Sequence, residues 1–281
     1  MSRDLGRLDA TDIKEADQKL QKIFNYLETD KNDLAKTNLA QLLTTSNYFL
    51  REYFGKKLAS YKNTEKMELL ILHLIGHKTY GVRASILFYY YYKNLSSPEK
   101  IVNILDMSWN DTPWETEHIL QELWQKHPDL MKEKMLQWAD SIHEKQRTFA
   151  YHGIENVASS DPFFITKMIE KNLDDPLIEI QKKISNVLTH TARIRPAECY
   201  SFVREWLTKP TEVRQRTIFI AMKKLITLAY LNNVKNKSDD FYLLTIQSIN
   251  DWKTDPDRSV SNMGERLVTF SKNPNFNDQD N

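Results

Sequence analysis

Apolar and polar residues follow each other along this chain with the period of an amphipathic helix, and the pattern restarts at short intervals. In the first such segment the apolar residues that share one face are Ile13, Ala16, Leu20, Ile23, Phe24 and Leu27. The pattern predicts helices over residues 12–29, 34–43, 47–61, 64–75, 80–94, 98–107, 113–126, 128–140, 143–157, 162–172, 176–191, 196–207, 211–231, 239–252 and 256–271. Because the β-prone run 88–92 continues a helical stripe, the sequence predicts an all-α fold.

The predicted helices form pairs, and one polar position near the start of the first helix of each pair recurs. The residues at this position are Arg51, Arg83, Glu115, Arg147, Gln181 and Arg214, with successive steps of 32, 32, 32, 34 and 33 residues. A nearly fixed step of this size is typical of a solenoid of stacked helix pairs. We therefore predict a right-handed α-solenoid in a single domain over 12–271, with a flexible N-terminus at 1–11 and a disordered tail at 272–281.

Short polar residues and prolines mark where many of these helices begin. Asp161 and Asp175 each precede a proline, which combines a capping side chain with a residue suited to the first helical turn. Thr112 and Glu115 are three positions apart, as in a capping box, where each side chain accepts a backbone N–H of the other's residue. The sequence thus predicts a capping role for Glu115.

The composition leaves few other classes open. The chain has 39 basic and 38 acidic side chains and a net charge of +1, so a basic surface must come from segregation of charge. Six glycines and nine prolines argue against an all-β fold. A single cysteine excludes an intramolecular disulfide. No apolar core near the N-terminus suggests a signal peptide, and no apolar run approaches the roughly 20 residues of a membrane span. We expect a cytoplasmic protein that is not bound to a membrane.

Basic residues recur near the starts of the helices, and this distribution suggests a polyanion as the partner. If the helix pairs curl into a crescent, cations at equivalent positions line its concave side, where a phosphate backbone can bind. The alternative is a solvated face, or arginines that pair with acids of the next repeat. We predict DNA-backbone contacts by Arg83, Arg147, Lys182, Lys183 and Arg214, and we expect Arg147→Ala to weaken DNA binding.

The segment 108–120 combines two tryptophans with acidic residues. Trp109 and Trp114 are interleaved there with Asp111 and Glu115. A carboxylate beside an aromatic surface can stabilise a cationic, sugar-like transition state. The alternative is structural, with Glu115 as a helix cap and Trp114 in packing.

Other chemistry is not indicated by the sequence. His73 and His77 are four residues apart, which suits a metal on a helix face, but no third ligand has a fitting spacing. Cys199 lacks a histidine partner, and the chain contains neither a glycine-rich phosphate loop nor a nucleophile elbow. We predict no cofactor and no metal site.

Three segments carry a resemblance to a known family. Residues 108–120 read Ser-Trp-Asn-Asp-Thr-Pro-Trp-Glu-Thr-Glu-His-Ile-Leu, residues 141–150 read Ser-Ile-His-Glu-Lys-Gln-Arg-Thr-Phe-Ala, and residues 182–189 read Lys-Lys-Ile-Ser-Asn-Val-Leu-Thr. They resemble the Trp-Asp-x-x-Asp, Trp-x-x-Arg-Arg and Lys-x-Ile-Gly-Trp-x-Leu-Arg segments of the HEAT-like-repeat alkylpurine DNA glycosylases, the AlkD-like DNA alkylation repair family. The similarity covers roughly residues 40–230, and it implies that the solenoid is built from HEAT-like repeats.

The resemblance also implies a site. In the family two tryptophans hold the sugar and phosphate around a lesion, a carboxylate stabilises the sugar cation, and an arginine grips the backbone. Trp109 matches the first tryptophan and Arg147 matches the arginine, whereas the carboxylate position falls on Pro113 and the second tryptophan on Asn186. Loss of the carboxylate forfeits much of the charge stabilisation that cleavage of a glycosidic bond needs.

Three functions therefore stay open. The preferred one is a divergent family member that grips double-stranded DNA, damaged or branched duplexes included, in a basic concave groove, with Trp109 and Trp114 as further contacts and with weak or absent base-excision activity. The second is an active N-alkylpurine DNA glycosylase that uses Glu115 or Asp111 as a substitute carboxylate. The third is an adaptor that holds a protein segment in the groove.

Overall fold

The computed structural model describes residues 9–158, 160–236 and 240–272. Residues 1–8 and 273–281, which make up most of the predicted flexible N-terminus and disordered tail, lie outside this part of the chain. The described residues form α-helices and one short 3₁₀-helix, and no strand occurs among them. The all-α prediction is confirmed.

Fifteen α-helices span the described residues. They are α1 (Ala10–Glu28), α2 (Asn32–Thr44), α3 (Tyr48–Ala59), α4 (Thr64–Leu72), α5 (Tyr80–Lys93), α6 (Pro98–Ser108), α7 (Pro113–Lys126), α8 (Pro128–Ala139), α9 (Glu144–Gly153), α10 (Pro162–Asn172), α11 (Ile178–Ile194), α12 (Pro196–Leu207), α13 (Glu212–Asn236), α14 (Asp240–Lys253) and α15 (Arg258–Lys272). The 3₁₀-helix, Glu155–Val157, follows α9. Most predicted boundaries lie within two residues of the observed ones, although α13 runs five residues beyond the predicted end.

Proline occupies one of two places relative to the helix starts. It is the first residue of α6, α7, α8, α10 and α12, where its missing N–H costs no hydrogen bond. Before α11, α13 and α15 a proline stands two residues ahead of the helix, at positions 176, 210 and 256. Because the residue before a proline is pushed out of the helical conformation, these helices cannot extend backwards.

The two predicted aspartate caps have different outcomes. Asp161 caps α10, since its side chain accepts the backbone N–H of Phe164 at 3.1 Å. Asp175 does not cap α11, which begins later than predicted. Its Oδ1 instead accepts the backbone N–H of Leu177 at 3.0 Å, so that Asp175 orders the turn that leads into the helix.

The chain divides into two compact units, Met1–Pro128 and Asp129–Asn281. In the first unit α3 packs against α5 and α5 against α7, while α2 packs on α4 and α5, and α6 on α5 and α7. In the second unit one row consists of α9, α11, α13 and α15, and the other of α10, α12 and α14. The rows meet where α10 and α12 pack against α11 and where α14 packs against α13 and α15. Each unit thus stacks consecutive helix pairs, which is the α-solenoid arrangement. The handedness and the single-domain organisation stay predictions.

The helices α3 and α5 approach closely because a glycine lies at their contact. A Cβ atom added to Gly55 would lie 2.4 Å from Phe88 Cβ and 2.8 Å from the Phe88 carbonyl carbon. No side chain larger than hydrogen fits there without a shift of the backbone. Gly76 offers a contrast, since a Cβ added to it would meet nothing within 4 Å.

Large apolar side chains fill the space between the helix rows of each unit. Phe54, Phe88 and Tyr89 are among the fully buried residues of the first unit, and Phe149 and Tyr151 among those of the second. These interiors account for the dominant stabilising term of the fold. None of the helices in the described residues combines the length and apolar composition that crossing a bilayer requires.

Candidate nucleic-acid interface

The six recurring polar residues lie near the starts of α3, α5, α7, α9, α11 and α13, as predicted. Most of them fold back onto main-chain carbonyls of the preceding turn instead of projecting into solvent. The donor–acceptor pairs are Arg51 Nε to Ser46 O, Arg83 Nη1 to His77 O and Lys78 O, Arg147 Nη1 to Ser141 O and Ile142 O, Gln181 Nε2 to Asp175 O, and Arg214 Nη1 to Trp206 O, at 2.8–3.4 Å. The repeat thus uses this position to satisfy carbonyls that a turn leaves free.

Two of the predicted DNA-binding arginines also form ion pairs within the second unit. Arg147 Nε donates to Asp175 Oδ2 at 2.8 Å, and the two side chains are only 16% and 6% exposed. Arg214 donates to Asp174 through Nε and Nη2. Burial raises the pKa of Asp174, but hydrogen bonds from Arg214 and Thr211 outweigh it and hold the pKa below its usual value. Phosphate groups would have to displace these carboxylates to reach either guanidinium.

Arg83 is held differently. Its Nη1 donates to two carbonyls at 2.8 Å, and its Nε is buried without a hydrogen-bond partner in the described part of the chain. No carboxylate forms an ion pair with Arg83 among the described residues. Carbonyl dipoles of the turn therefore surround its guanidinium.

The candidate catalytic residue Glu115 is fully buried in the first unit. Its Oε1 accepts from Arg51 Nη1 at 2.7 Å and its Oε2 accepts from the Tyr80 hydroxyl at 2.6 Å. The Arg51 guanidinium also lies over the Tyr80 ring, 4.9 Å from its centroid. Burial and the hydrogen bond to Glu115 raise the pKa of Tyr80. Both carboxylate oxygens are thus engaged in a buried network that joins α3, α5 and α7.

The predicted capping box at the start of α7 is wrong. Thr112 makes no side-chain hydrogen bond to the helix N-terminus, because its hydroxyl donates to Ser108 O at 3.2 Å. The Glu115 side chain turns towards Arg51 and Tyr80 instead of the helix start. A partly buried arginine offers a carboxylate a stronger partner than an N-cap amide does.

The other residues of segment 108–120 surround the turn between α6 and α7. Trp109 directly follows α6, where its backbone N–H donates to Leu105 O at 3.0 Å, and its side chain is partly buried. Asp111 is exposed. Trp114, the second residue of α7, is 74% exposed. The Trp114 side chain is therefore available to a ligand, whereas the Trp109 side chain is partly packed within the protein.

The predicted site residues belong to different units. The first unit contains Arg83, Trp109, Asp111, Trp114 and Glu115, and the second contains Arg147, Lys182, Lys183 and Arg214. The structure brings Arg147 and Arg214 to carboxylates and Lys183 to Glu155, whereas Lys182 is exposed on α11. The second unit thus contains four of the five predicted basic contacts.

Positive charge in the second unit is concentrated on α11, α13 and α15. Helix α11 carries three basic residues and one acidic residue, α13 carries five and one, and α15 carries three and one. In the neighbouring row the basic and acidic residues number two and one in α10, one and two in α12, and one and two in α14. Since the whole chain is nearly neutral, this is the segregation of charge that a basic surface requires.

Lys182 and Lys224 lie at the centre of this surface. Lys224 Nζ donates to Asn186 Oδ1 at 3.1 Å, and no carboxylate pairs with Lys224 among the described residues. Burial, and after it the charge of Lys182, lower the pKa of Lys224. Lys182 pairs with Glu179 across one helical turn at 3.3 Å, with both side chains more than half exposed. An exposed pair of this kind is weak, so an anion between the two lysines would relieve their repulsion.

Two further cations flank these lysines. Arg216 Nη2 donates to Gln181 Oε1 at 3.0 Å, and no described carboxylate pairs with it. Lys183 is more strongly held, since its Nζ lies 3.0 Å from Glu155 Oε1 and 3.3 Å from His152 Nδ1. We define the basic strip as Lys182, Asn186, Arg216 and Lys224. Of the seven predicted DNA-binding residues, Lys182 lies at the centre of the basic strip as an available cation, and Lys183 lies at its edge.

Sequence reasoning missed several polar residues that the structure brings together. Asn186 departs from the family pattern, yet its Oδ1 accepts a hydrogen bond from Lys224. In the first unit Glu52 accepts from the Tyr92 hydroxyl at 2.7 Å and lies 3.8 Å from His118 Nε2. These contacts join residues 38 or more positions apart in sequence, and no local motif marks them.

Metal or thiol chemistry finds no site in the described residues. No group of three or more His, Cys, Asp or Glu side chains among them is placed to hold a metal ion. Cys199 is fully buried, and burial raises the pKa of its thiol. A buried neutral thiol is unreactive.

Comparison with known proteins adds little to this geometry. No protein-family model matches the chain, and no curated protein matches it. Among solved structures, an engineered protein is 12% identical over 89% of this chain and 82% of its own, with a TM-score of 0.29. A designed armadillo repeat protein is 12% identical over 82% of this chain and 97% of its own, with a TM-score of 0.24. TM-scores of this size do not establish a common fold, so the helical-repeat class rests on the helix pairs themselves.

Proposed function

We propose that this protein is a helical-repeat DNA-binding protein whose basic strip contacts the phosphate backbone. The observation that carries the proposal is the concentration of basic residues on α11 and α13, where Lys224 and Arg216 have amide rather than carboxylate partners. A neutral amide orients a cation without cancelling its charge. Cations oriented in this way suit a phosphate backbone, which requires distributed positive charge and little base-specific contact.

The basic strip replaces Arg147 and Arg214 as the proposed contact. Arg147 and Arg214 are paired with Asp175 and Asp174, so a phosphate would gain little by competing for them. Lys182 has only an exposed partner on its own helix, and phosphate can displace such a partner at small cost. Contacts by Trp114, which is exposed in the first unit, remain part of the proposal.

We also propose that the protein is a divergent relative of the AlkD-like DNA alkylation repair family with weak or absent base-excision activity. Support comes from the sequence resemblance of residues 108–189 and from the engagement of Glu115. Its two oxygens accept hydrogen bonds from Arg51 and Tyr80, which leaves neither for a developing sugar cation.

The test is a salt titration of DNA affinity for the double variant Lys182→Gln, Lys224→Gln. Fluorescence anisotropy with a labelled duplex should show a linear fall of log affinity with log salt for the wild type. Removal of two phosphate contacts should make the slope of log affinity against log salt concentration less negative by about 2. At physiological salt this corresponds to roughly thirtyfold weaker binding.

The charge-matched control is Lys134→Gln, Lys167→Gln, which removes two lysines from α8 and α10 of the same unit. It should leave both the affinity and the salt dependence within experimental error, because the two lysines belong to α8 and α10 and not to α11 and α13, which carry the basic strip. Equal weakening by both double variants would mean that DNA responds only to net charge and would refute the assignment. Absence of any salt-dependent binding by the wild type would remove the proposed function.

A further inference from the structure

Aromatic rings alternate with cations on the face of α13 that meets α15. Arg216, Phe219 and Lys223 follow at spacings of three and four residues, which places them on one side of the helix. The basic strip therefore continues, through Arg216, into a surface that also contains rings.

Helices α13 and α15 exchange cation–ring contacts on this face. The Arg266 guanidinium of α15 lies over the Phe219 ring of α13, 4.2 Å from its centroid, and the Lys223 ammonium of α13 lies over the Phe270 ring of α15 at 4.9 Å. Each helix thus contributes one ring and one cation. Arg266 is solvent-exposed, and both rings are partly exposed. A guanidinium stacked on a ring can accept a nucleobase on its other face.

A cavity of about 360 Å³ opens beside Arg266. Its lining residues are Gln215 of α13 and Ser259, Asn262, Met263, Glu265 and Arg266 of α15. Two of them carry amides and one a hydroxyl, which can both donate and accept hydrogen bonds at the edge of a base. Glu265 contributes a carboxylate that accepts from exocyclic amino groups and disfavours phosphate at this spot. The cavity suits a base, and the adjoining cations suit its phosphates.

We propose that this face of α13 and α15 binds unpaired nucleotides, so that the DNA partner is one with a single-stranded segment. This proposal rests on the proposed DNA-binding function and specifies the class of DNA that is bound. Bases in an intact duplex stack on one another and cannot reach protein rings, whereas unpaired bases can stack on Phe270 and on the layer of Arg266 and Phe219. Stacking of this kind tolerates any base, so little sequence preference is expected.

The experiment compares three labelled probes at one salt concentration by fluorescence anisotropy. They are a thymine oligonucleotide of about 20 nucleotides, a duplex of the same length, and that duplex with a single-stranded overhang of about 10 nucleotides. Wild-type protein should bind both probes that contain unpaired nucleotides more tightly than the blunt duplex.

The variant Phe219→Leu, Phe270→Leu removes both rings and keeps apolar bulk. Single-strand affinity should fall at least tenfold, while blunt-duplex affinity should stay within about twofold. The matched control, Phe163→Leu, Phe202→Leu, removes the ring pair of α10 and α12, whose centroids are 5.9 Å apart. Phe219→Tyr, Phe270→Tyr should restore single-strand binding, which separates lost stacking from lost folding.

The outcomes distinguish the two proposals. Equal affinity of the wild type for the blunt duplex and the single strand would overturn the unpaired-nucleotide assignment. Equal weakening of both probes by a folded Phe219→Leu, Phe270→Leu variant would also overturn it. In either case the proposal of backbone contacts survives. If none of the three probes binds, even at about 50 mM salt, both proposals fail. Both proposals are supported if Lys182→Gln, Lys224→Gln loses binding to all three probes and Phe219→Leu, Phe270→Leu loses binding only to the probes with unpaired nucleotides.

Discussion

Arg147 and Asp175 form a nearly buried ion pair in which Nε and Oδ2 are 2.8 Å apart. Arg147 also donates to the carbonyls of Ser141 and Ile142 in the turn before α9, while Asp175 accepts the backbone N–H of Leu177 before α11. One pair of side chains thereby fixes two successive turns of the solenoid. A residue that the repeat pattern marks as a ligand contact is, in this geometry, a connection between repeats.

Arg147→Ala should therefore destabilise the protein and leave its DNA affinity almost unchanged. Removing one partner of a buried pair strands the Asp175 carboxylate, so the free energy of unfolding should fall by about 3 kcal/mol. Urea denaturation measures the loss, and anisotropy measures the affinity of the folded variant. Lys145→Ala, an exposed neighbour on α9, is the control. If Arg147→Ala keeps its stability but binds DNA much more weakly, Arg147 instead contacts the DNA phosphate backbone, as the sequence alone predicted.

The Arg51–Glu115 pair should behave as a coupled structural unit. Glu115→Gln should lower the free energy of unfolding by about 3 kcal/mol, because it leaves the Arg51 guanidinium without its charged partner. Arg51→Met should have a similar effect, and the double variant should cost less than the sum of the two by at least about 1 kcal/mol. Denaturation of the four proteins gives the coupling energy.

Release of methylated purines from alkylated DNA provides a second measurement on the same variants. If Glu115 has no catalytic role, release by Glu115→Gln under conditions where it is folded should equal that of the wild type. A loss of release that exceeds any loss of folded protein would support the glycosylase alternative.

Gly55→Ala should be far more destabilising than Gly76→Ala. The added methyl group at position 55 would meet the backbone and Cβ of Phe88, so that α3 and α5 must separate, at a cost of about 1–3 kcal/mol. At position 76 the methyl group meets nothing, and the lower chain entropy of alanine makes the change neutral or stabilising. Urea midpoints of the two variants check the prediction. Similar midpoints would show that the contact between α3 and α5 is looser than the structure indicates.

Acid should destabilise the second unit partly through Asp161. The hydrogen bond from Lys132 holds the pKa of Asp161 below its ordinary value of 3.8. A carboxylate with a folded-state pKa below its unfolded value contributes stability above the unfolded pKa, and this contribution is lost as the pH falls through the folded pKa. The urea midpoint of the wild type should therefore decrease between about pH 5 and pH 2.

Asp161→Asn should flatten this pH dependence. Asparagine can still accept the N–H of Phe164 as a helix cap, so the substitution removes the titrating charge and keeps the cap. Asp129→Asn, at an exposed position of α8, is the control and should leave the pH profile as steep as that of the wild type. Identical profiles for the wild type and Asp161→Asn would contradict the assignment.

Helix starts and the recurring position could be read from the sequence because both depend on local chemistry. A proline cannot stand in the interior of a helix, and an aspartate three residues before a free amide can cap it, so α10 begins where Asp161 predicts. The recurring step placed Arg51, Arg83 and Arg147 correctly at the starts of α3, α5 and α9. The period of the apolar residues is sufficient for this, since each helix buries one stripe.

The roles of those residues were not predictable in the same way. Glu115 has the spacing of a capping box, yet it accepts from Arg51, 64 positions earlier in the chain. Asn186 stands where the family pattern has a tryptophan, yet it orients Lys224, 38 positions later. Glu115 had a local partner in the start of α7 and a distant one in Arg51, and the distant partner is a cation, whose hydrogen bonds to a carboxylate are the stronger.

By itself, then, the sequence determined that this protein is a series of paired helices with a polar residue near the start of every first helix, because periodicity, proline and caps act over a few residues. Tertiary structure alone decided which charges are neutralised and which remain available. An arginine's charge is offset or exposed according to the carboxylates that packing brings beside it. Asp175 removes Arg147 from the surface, whereas the amide of Asn186 leaves the charge of Lys224 for a partner.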